Sequence, residues 1–213
     1  MKKVFLIGDS ICLGPGNEND VKGSELFQCG YGYHVAEMLK GKAEVFMPAE
    51  NCRFVQYTIR YIHEWAYTAG VGADVDLVHW NNGLWDVLRL LGEPPLTPLD
   101  TYKEFLLILY TRIKKIFPNA KIIFAYSTAV SEKWMNEGFM RRNADIERYN
   151  AAAREVLEPL GVVINDLYTF SREVHKQYGT DYVHYSKEGA RILAAVVTKA
   201  IMEQIGEDKE YVT

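Results

Sequence analysis

The chain has 213 residues, 48% of them hydrophobic and 24% charged, with a formal net charge of -4. These proportions suit one folded domain over 1–213 with a sizeable core and exclude a disordered or fibrous polymer. The mild negative charge argues against nucleic acid as a partner, because phosphate neutralisation needs clustered Lys and Arg.

Val4-Phe5-Leu6-Ile7 is a short apolar run that stops at Gly8-Asp9-Ser10, the form of a buried parallel strand ending in a functional turn. Further runs of this kind cover 43–47, 75–80, 121–126 and 162–164, each bounded by Gly, Pro, Asn or Asp. Between and after them, helical spacing covers 33–39, 55–67, 99–117, 144–157 and 187–205. Leu106, Leu109, Ile113 and Ile116 fall at steps of three and four, on one core-facing stripe. Alternating strands and helices imply right-handed crossovers and an open three-layer α/β domain, its parallel sheet covered on both faces. Ligands in such domains sit beyond the carboxyl ends of the strands. Two long stretches, 11–32 and 127–143, follow strands and hang over that rim, so both are assigned to substrate enclosure. The last residues, 206–213, read as a frayed tail.

Three cysteines, Cys12, Cys29 and Cys52, show no CxxC spacing, so neither a disulfide framework nor a structural zinc site is indicated. A reducing compartment fits best. The five residues from Val4 to Gly8 are too few for a signal-peptide core, and no segment has the apolar length to span a bilayer. The expectation is a cytoplasmic protein with no membrane partner.

Ser10 directly follows a buried strand, so its hydroxyl stands at the strand's carboxyl edge near backbone N–H groups of the next turn, a good position for a nucleophile. By itself Gly-Asp-Ser reads first as a polar turn. Near the other end, Asp181-Tyr182-Val183-His184 precedes the last helix. An Asp three residues before a His can fold back, accept the Nδ1 proton and leave Nε2 free as a base. By itself this reads first as a surface acid and a histidine beside a helix N-cap.

Taken together, and in this order, the two blocks resemble those of the SGNH hydrolases, also called GDSL-like lipases and esterases. Gly8-Asp9-Ser10 stands as the nucleophile block, with Ile11 in place of the usual leucine, and Asp181-x-x-His184 as the closing block. The resemblance implies a flavodoxin-like α/β/α sandwich with a five-stranded parallel sheet. It also implies a triad of Ser10 as nucleophile, His184 as base and then acid, and Asp181 as orienter, with the Ser10 N–H serving the oxyanion hole. The family's other two oxyanion donors are a glycine after the second strand and an asparagine after the third. Here the third strand is followed by Asn81-Asn82-Gly83-Leu84-Trp85-Asp86, in which Trp85 stands where asparagine belongs. A shifted alignment makes the Asn82 amide, or less favourably that of Asn81, the donor. After the second strand no glycine is present, so a backbone N–H of Asn51, Cys52 or Arg53 takes its place.

Asp9, beside the nucleophile, and Trp80, Trp85 and Trp134, which could stack on sugar rings, are the substrate-contact candidates. The remaining histidines lack metal-ligand spacing, so no metal is expected. Gly14-Pro15-Gly16 lacks the lysine of a phosphate-gripping loop, and no cofactor is expected. The function expected is hydrolysis of a small-molecule ester or an acetylated carbohydrate. The alternative is a noncatalytic ligand-binding module on the same fold, with an altered oxyanion hole.

Overall fold

A computed structural model describes residues 1–14 and 27–206. Part of the first enclosure stretch, 15–26, and the tail 207–213 lie outside the described residues. In chain order the elements are β1 (Lys2–Ile7), α1 (Ser10–Leu13), α2 (Tyr31–Met38), β2 (Ala43–Phe46), α3 (Val55–Ala69), β3 (Leu77–Trp80), β4 (Arg89–Leu90), α4 (Leu99–Ile116), β5 (Lys121–Ala125), β6 (Phe139–Met140), α5 (Asn143–Leu157), β7 (Val163–Asn165), α6 (Leu167–Tyr178) and α7 (Lys187–Ile205).

Five strands form one parallel sheet in the order β2-β1-β3-β5-β7. The central strands need no polar alternation because helices cover both faces: Val4 to Ile7 are all 0% exposed. Helices α2, α6 and α7 pack together on one side, and α3, α4 and α5 on the other. This is the α/β/α sandwich expected from the sequence. Every apolar run became a strand and every helical stretch a helix, with ends moved by a few residues. The order reverses between β1 and β3, and at such a switch point the loops leaving the two strands part in opposite directions and open a crevice. Ser10 follows β1 at that crevice.

Three features were not anticipated. Ser10–Leu13 turns at once into a short helix, capped by Asp9, whose Oδ1 accepts the Ile11 N–H at 2.9 Å. Gly8 makes this reversal possible, since a Cβ there would lie 2.5 Å from Cys12 Cβ. The polar stretch after β7 forms α6, capped by Asp166 through the Thr169 N–H at 2.9 Å. Lastly, β4 and β6 pair antiparallel as a two-stranded ribbon outside the main sheet. Arg89 and Asp145 tie β4 to α5, with N–O distances of 2.7 and 3.1 Å. The ribbon carries Phe139 and Arg141 back over the crevice. Among the described residues no helix is long and apolar enough to cross a membrane, and no group of three or more His, Cys, Asp or Glu could hold a metal.

Candidate active site

The loop between α6 and α7 is built to present an imidazole. Thr180 N–H donates to His184 O at 2.9 Å, Ser186 N–H donates to Tyr178 O at 2.8 Å, and Gly179 bridges to Tyr185, so the loop closes on itself. Inside it, Asp181 Oδ1 accepts the backbone N–H groups of Val183 and His184, both at 2.8 Å, and Oδ2 faces His184 Nδ1 at 2.7 Å. His184 Nε2 then reaches Ser10 Oγ at 2.9 Å, across 174 residues of sequence. The three side chains paired in the sequence therefore meet in one hydrogen-bonded line.

The electrostatics suit that line. Burial alone would raise the Asp181 pKa, but the hydrogen bonds from the His184 ring and from the two backbone N–H groups outweigh it and hold the carboxyl well below its ordinary value. The acid is thus ionised wherever the imidazole needs a counter-charge.

Ser10 and His184 open on a cavity of about 240 Å³, whose walls also include Asp9, Leu84, Trp85, Phe139, Arg141 and Tyr182. Trp85 and Asp9 therefore lie at the site. Asp9 is 1% exposed and its Oδ2 is sealed without a partner. Burial pushes its pKa up, against the Ile11 N–H bond and the charges of Arg141 and His184. The other two tryptophans are elsewhere. Trp80 is 0% exposed, an interior strand residue whose ring meets Phe124 edge-on. Trp134 is exposed, but it lines a separate surface hollow with His175 and Arg172.

Of the two side-chain amides expected to stabilise an oxyanion, that of Asn82 already donates both its hydrogens elsewhere and that of Asn81 donates one. Asn82, 0% exposed, donates from Nδ2 to Arg53 O at 2.9 Å and Thr58 Oγ1 at 3.0 Å, while its Oδ1 accepts the Trp80 indole N–H at 2.7 Å. It is a clamp between the loops after β2 and β3. Asn81 donates to Ala125 O at 2.8 Å, joining the ends of β3 and β5. The Cys52 N–H goes to Gly8 O at 3.1 Å, and the Arg53 N–H to Asn51 Oδ1 at 2.8 Å. Asp86 completes the clamp: it accepts the Val55 N–H at the start of α3 and the Thr97 hydroxyl, the latter at 2.8 Å. Burial pushes its pKa up to about 7 despite those bonds. Of the backbone donors expected from the sequence, the N–H groups of Ser10 and Asn51 have no acceptor among the described residues.

Sequence reasoning missed Arg141 as an individual residue, although it lies in the stretch assigned to enclosure. It is 3% exposed, whereas the adjacent Arg142 is on the surface. Nε donates to Leu84 O and Nη1 to the Tyr182 hydroxyl, and the rings of Trp85, Phe139 and Tyr182 lie 5.4, 5.2 and 5.7 Å from Cζ. Nothing in the pair Arg141-Arg142 marks which of the two turns inward.

The architecture is the three-layer α/β/α sandwich of solved lipases and esterases. A lipase/acylhydrolase from Enterococcus faecalis matches with a TM-score of 0.70 at 20% identity, over 95% of this chain and 96% of that one. An acetyl xylan esterase matches with a TM-score of 0.69 at 18% identity, over 93% and 99%. A carbohydrate acetylesterase family member from Sinorhizobium meliloti matches with a TM-score of 0.72 at 15% identity, over 97% and 100%. No protein-family model and no curated protein matches the sequence.

Proposed function

We propose that this chain is a serine carboxylic-ester hydrolase of the SGNH, GDSL-like type, a single domain over 1–213 that cleaves a small ester or an acetyl ester borne by a carbohydrate. The observation that carries the reading is the line Ser10 Oγ, His184 Nε2, His184 Nδ1, Asp181 Oδ2, with separations of 2.9 and 2.7 Å, at the wall of a cavity of about 240 Å³. Its position at the carboxyl end of β1 and the fold shared with solved esterases support it. The carbohydrate side draws on the likeness to the acetyl xylan esterase and the carbohydrate acetylesterase. Three free cysteines, two of them buried, agree with a cytoplasmic setting.

In this mechanism His184 Nε2 takes the Ser10 proton as Oγ attacks the ester carbonyl, and Asp181 stabilises the imidazolium so formed. The Ser10 N–H donates to the oxyanion. His184 returns the proton to the departing alcohol. Water, deprotonated by the same nitrogen, then releases the acid from Ser10. No cofactor enters these steps.

One observation favours a noncatalytic ligand-binding module instead: both amide hydrogens of Asn82 and the N–H groups of Cys52 and Arg53 already have acceptors. Hydrolysis of p-nitrophenyl acetate separates the two readings. The enzyme reading expects turnover by the wild type and its loss in Ser10→Ala, with a serine-directed fluorophosphonate labelling Ser10 alone. Equal rates for the two proteins would remove it.

A further inference from the structure

Arg141 is a permanent cation inside the wall of the nucleophile's cavity, and nothing in the triad chemistry uses it. Buried guanidinium groups are ordinarily matched by a carboxylate, because taking a charge out of water without one is costly. Among the described residues Arg141 forms no ion pair; its acceptors, Leu84 O and the Tyr182 hydroxyl, are both neutral. Three aromatic rings compensate part of the charge, but cation–π contact consumes no N–H group. Nη2 has no acceptor among the described residues. The space that Arg141 lines is the cavity beside Ser10 and His184. Asp9 shares that wall, but its Oδ1 is held by the Ile11 N–H and its Oδ2 is sealed from solvent. It can balance the guanidinium through space without occupying it.

We infer that Arg141 is a specificity-determining residue that receives a carboxylate on the substrate, so the ester cleaved is a small one carrying a negative charge close to the scissile bond. This rests on the esterase reading and narrows its substrate class. With a cavity of about 240 Å³, the charged group and the ester must lie within a few bonds of each other. The carboxylate can belong to the acyl part, as in a dicarboxylic acid monoester, or to the alcohol part, as in an acetylated hydroxy acid; the chemistry recognised by Arg141 is the same.

The test is calorimetric binding to Ser10→Ala, which reads recognition without requiring turnover. Monomethyl succinate is compared with methyl butyrate for a charged acyl group, and 2-acetoxypropanoate with isopropyl acetate for a charged alcohol. The expected result is at least tenfold tighter binding of one anionic ester than of its neutral counterpart, with the preference collapsing to less than threefold when Arg141→Gln is added. Arg141→Lys keeps the charge but loses the fork, and an at least threefold smaller preference there serves if the Gln variant does not fold. Equal affinity for both members of both pairs, or a preference that survives in the folded Arg141 variants, overturns the inference. Turnover of p-nitrophenyl acetate by the wild type is read separately, so failure of anion recognition is distinct from failure of the esterase reading.

Discussion

Replacing Asn82 by Ala separates a catalytic asparagine from a structural one. The side chain makes three hydrogen bonds at 0% exposure. Its loss strands the Trp80 indole N–H, itself on a fully buried residue, and a sealed unsatisfied donor costs about 1–3 kcal/mol. The bonds to Arg53 O and Thr58 Oγ1 add about 1 kcal/mol each, with Thr58 partly compensated because its hydroxyl still donates to Cys52 O. The sum is about 2–5 kcal/mol, a large fraction of the roughly 5–15 kcal/mol that holds a domain together. Urea unfolding should report it as a lower midpoint with an unchanged slope, and thermal unfolding as a drop of about 10 °C. At a temperature where the variant is folded, kcat should fall far less than the roughly 100-fold that follows loss of an oxyanion donor. A variant with near wild-type stability and a kcat reduced 100-fold or more would refute this and restore the amide to the oxyanion hole.

Asp181→Asn should lower kcat by about 100- to 10,000-fold, because the imidazole loses its orienter and counter-charge; a pH profile of p-nitrophenyl acetate turnover checks it. The wild-type Asp181 pKa is depressed on folding, so the stability it contributes is present above the unfolded value of about 3.9 and is lost as pH falls through the lower folded one. Acid unfolding below about pH 4 should therefore be shallower in Asp181→Asn, by a small amount since the carboxyl is half-exposed. Asp86 has the opposite sign: its pKa rises from 3.8 to about 7, so the neutral form is favoured in the fold and stability falls as pH rises from about 4 through 7. Asp86→Asn, which keeps an acceptor for Thr97 or Val55, should gain on the wild type by about 2–4 kcal/mol between pH 5 and pH 8, read by urea unfolding at both; an equal difference at the two pH values would sink that account. Gly83→Ala should destabilise the protein by about 2 kcal/mol or more in the same assay, because Gly83 has φ +151° and an added Cβ would lie 2.3 Å from Ser127 Oγ.

The fold was legible because its signals are local. Buried parallel strands need largely apolar runs, and the interior strands supply them: Leu77 to Trp80, interrupted only by the buried His79, and Ile122 to Ala125 are no more than 5% exposed. Helix α6 escaped notice because polar and charged residues crowd it from Ser171 to Gln177, and its buried stripe follows β7 almost without a loop, at Leu167, Ser171, Val174 and His175. Ribbon strands of two residues each are below any periodicity. They exist only because tertiary contacts hold them.

The site divides in the same way. That the Ser10, Asp181 and His184 side chains meet was legible because each stands beside a strand or helix end, and Asp181 and His184 are neighbours in sequence as well as in space. Whether Asn82 has a hydrogen atom to spare depends on Arg53 O and Thr58 Oγ1, 29 and 24 residues away. Sequence distance of that kind erases the information: an asparagine with a free amide and one with a saturated amide are the same letter in the same turn. Arg141 was obscured for the converse reason. Its burial is fixed by Leu84 and Tyr182, 57 and 41 residues distant, and by rings contributed from three separate segments. A cation whose hydrogen-bond acceptors are all neutral leaves no charge pattern in the chain, and its want of a carboxylate partner becomes visible only once the segments are folded around it.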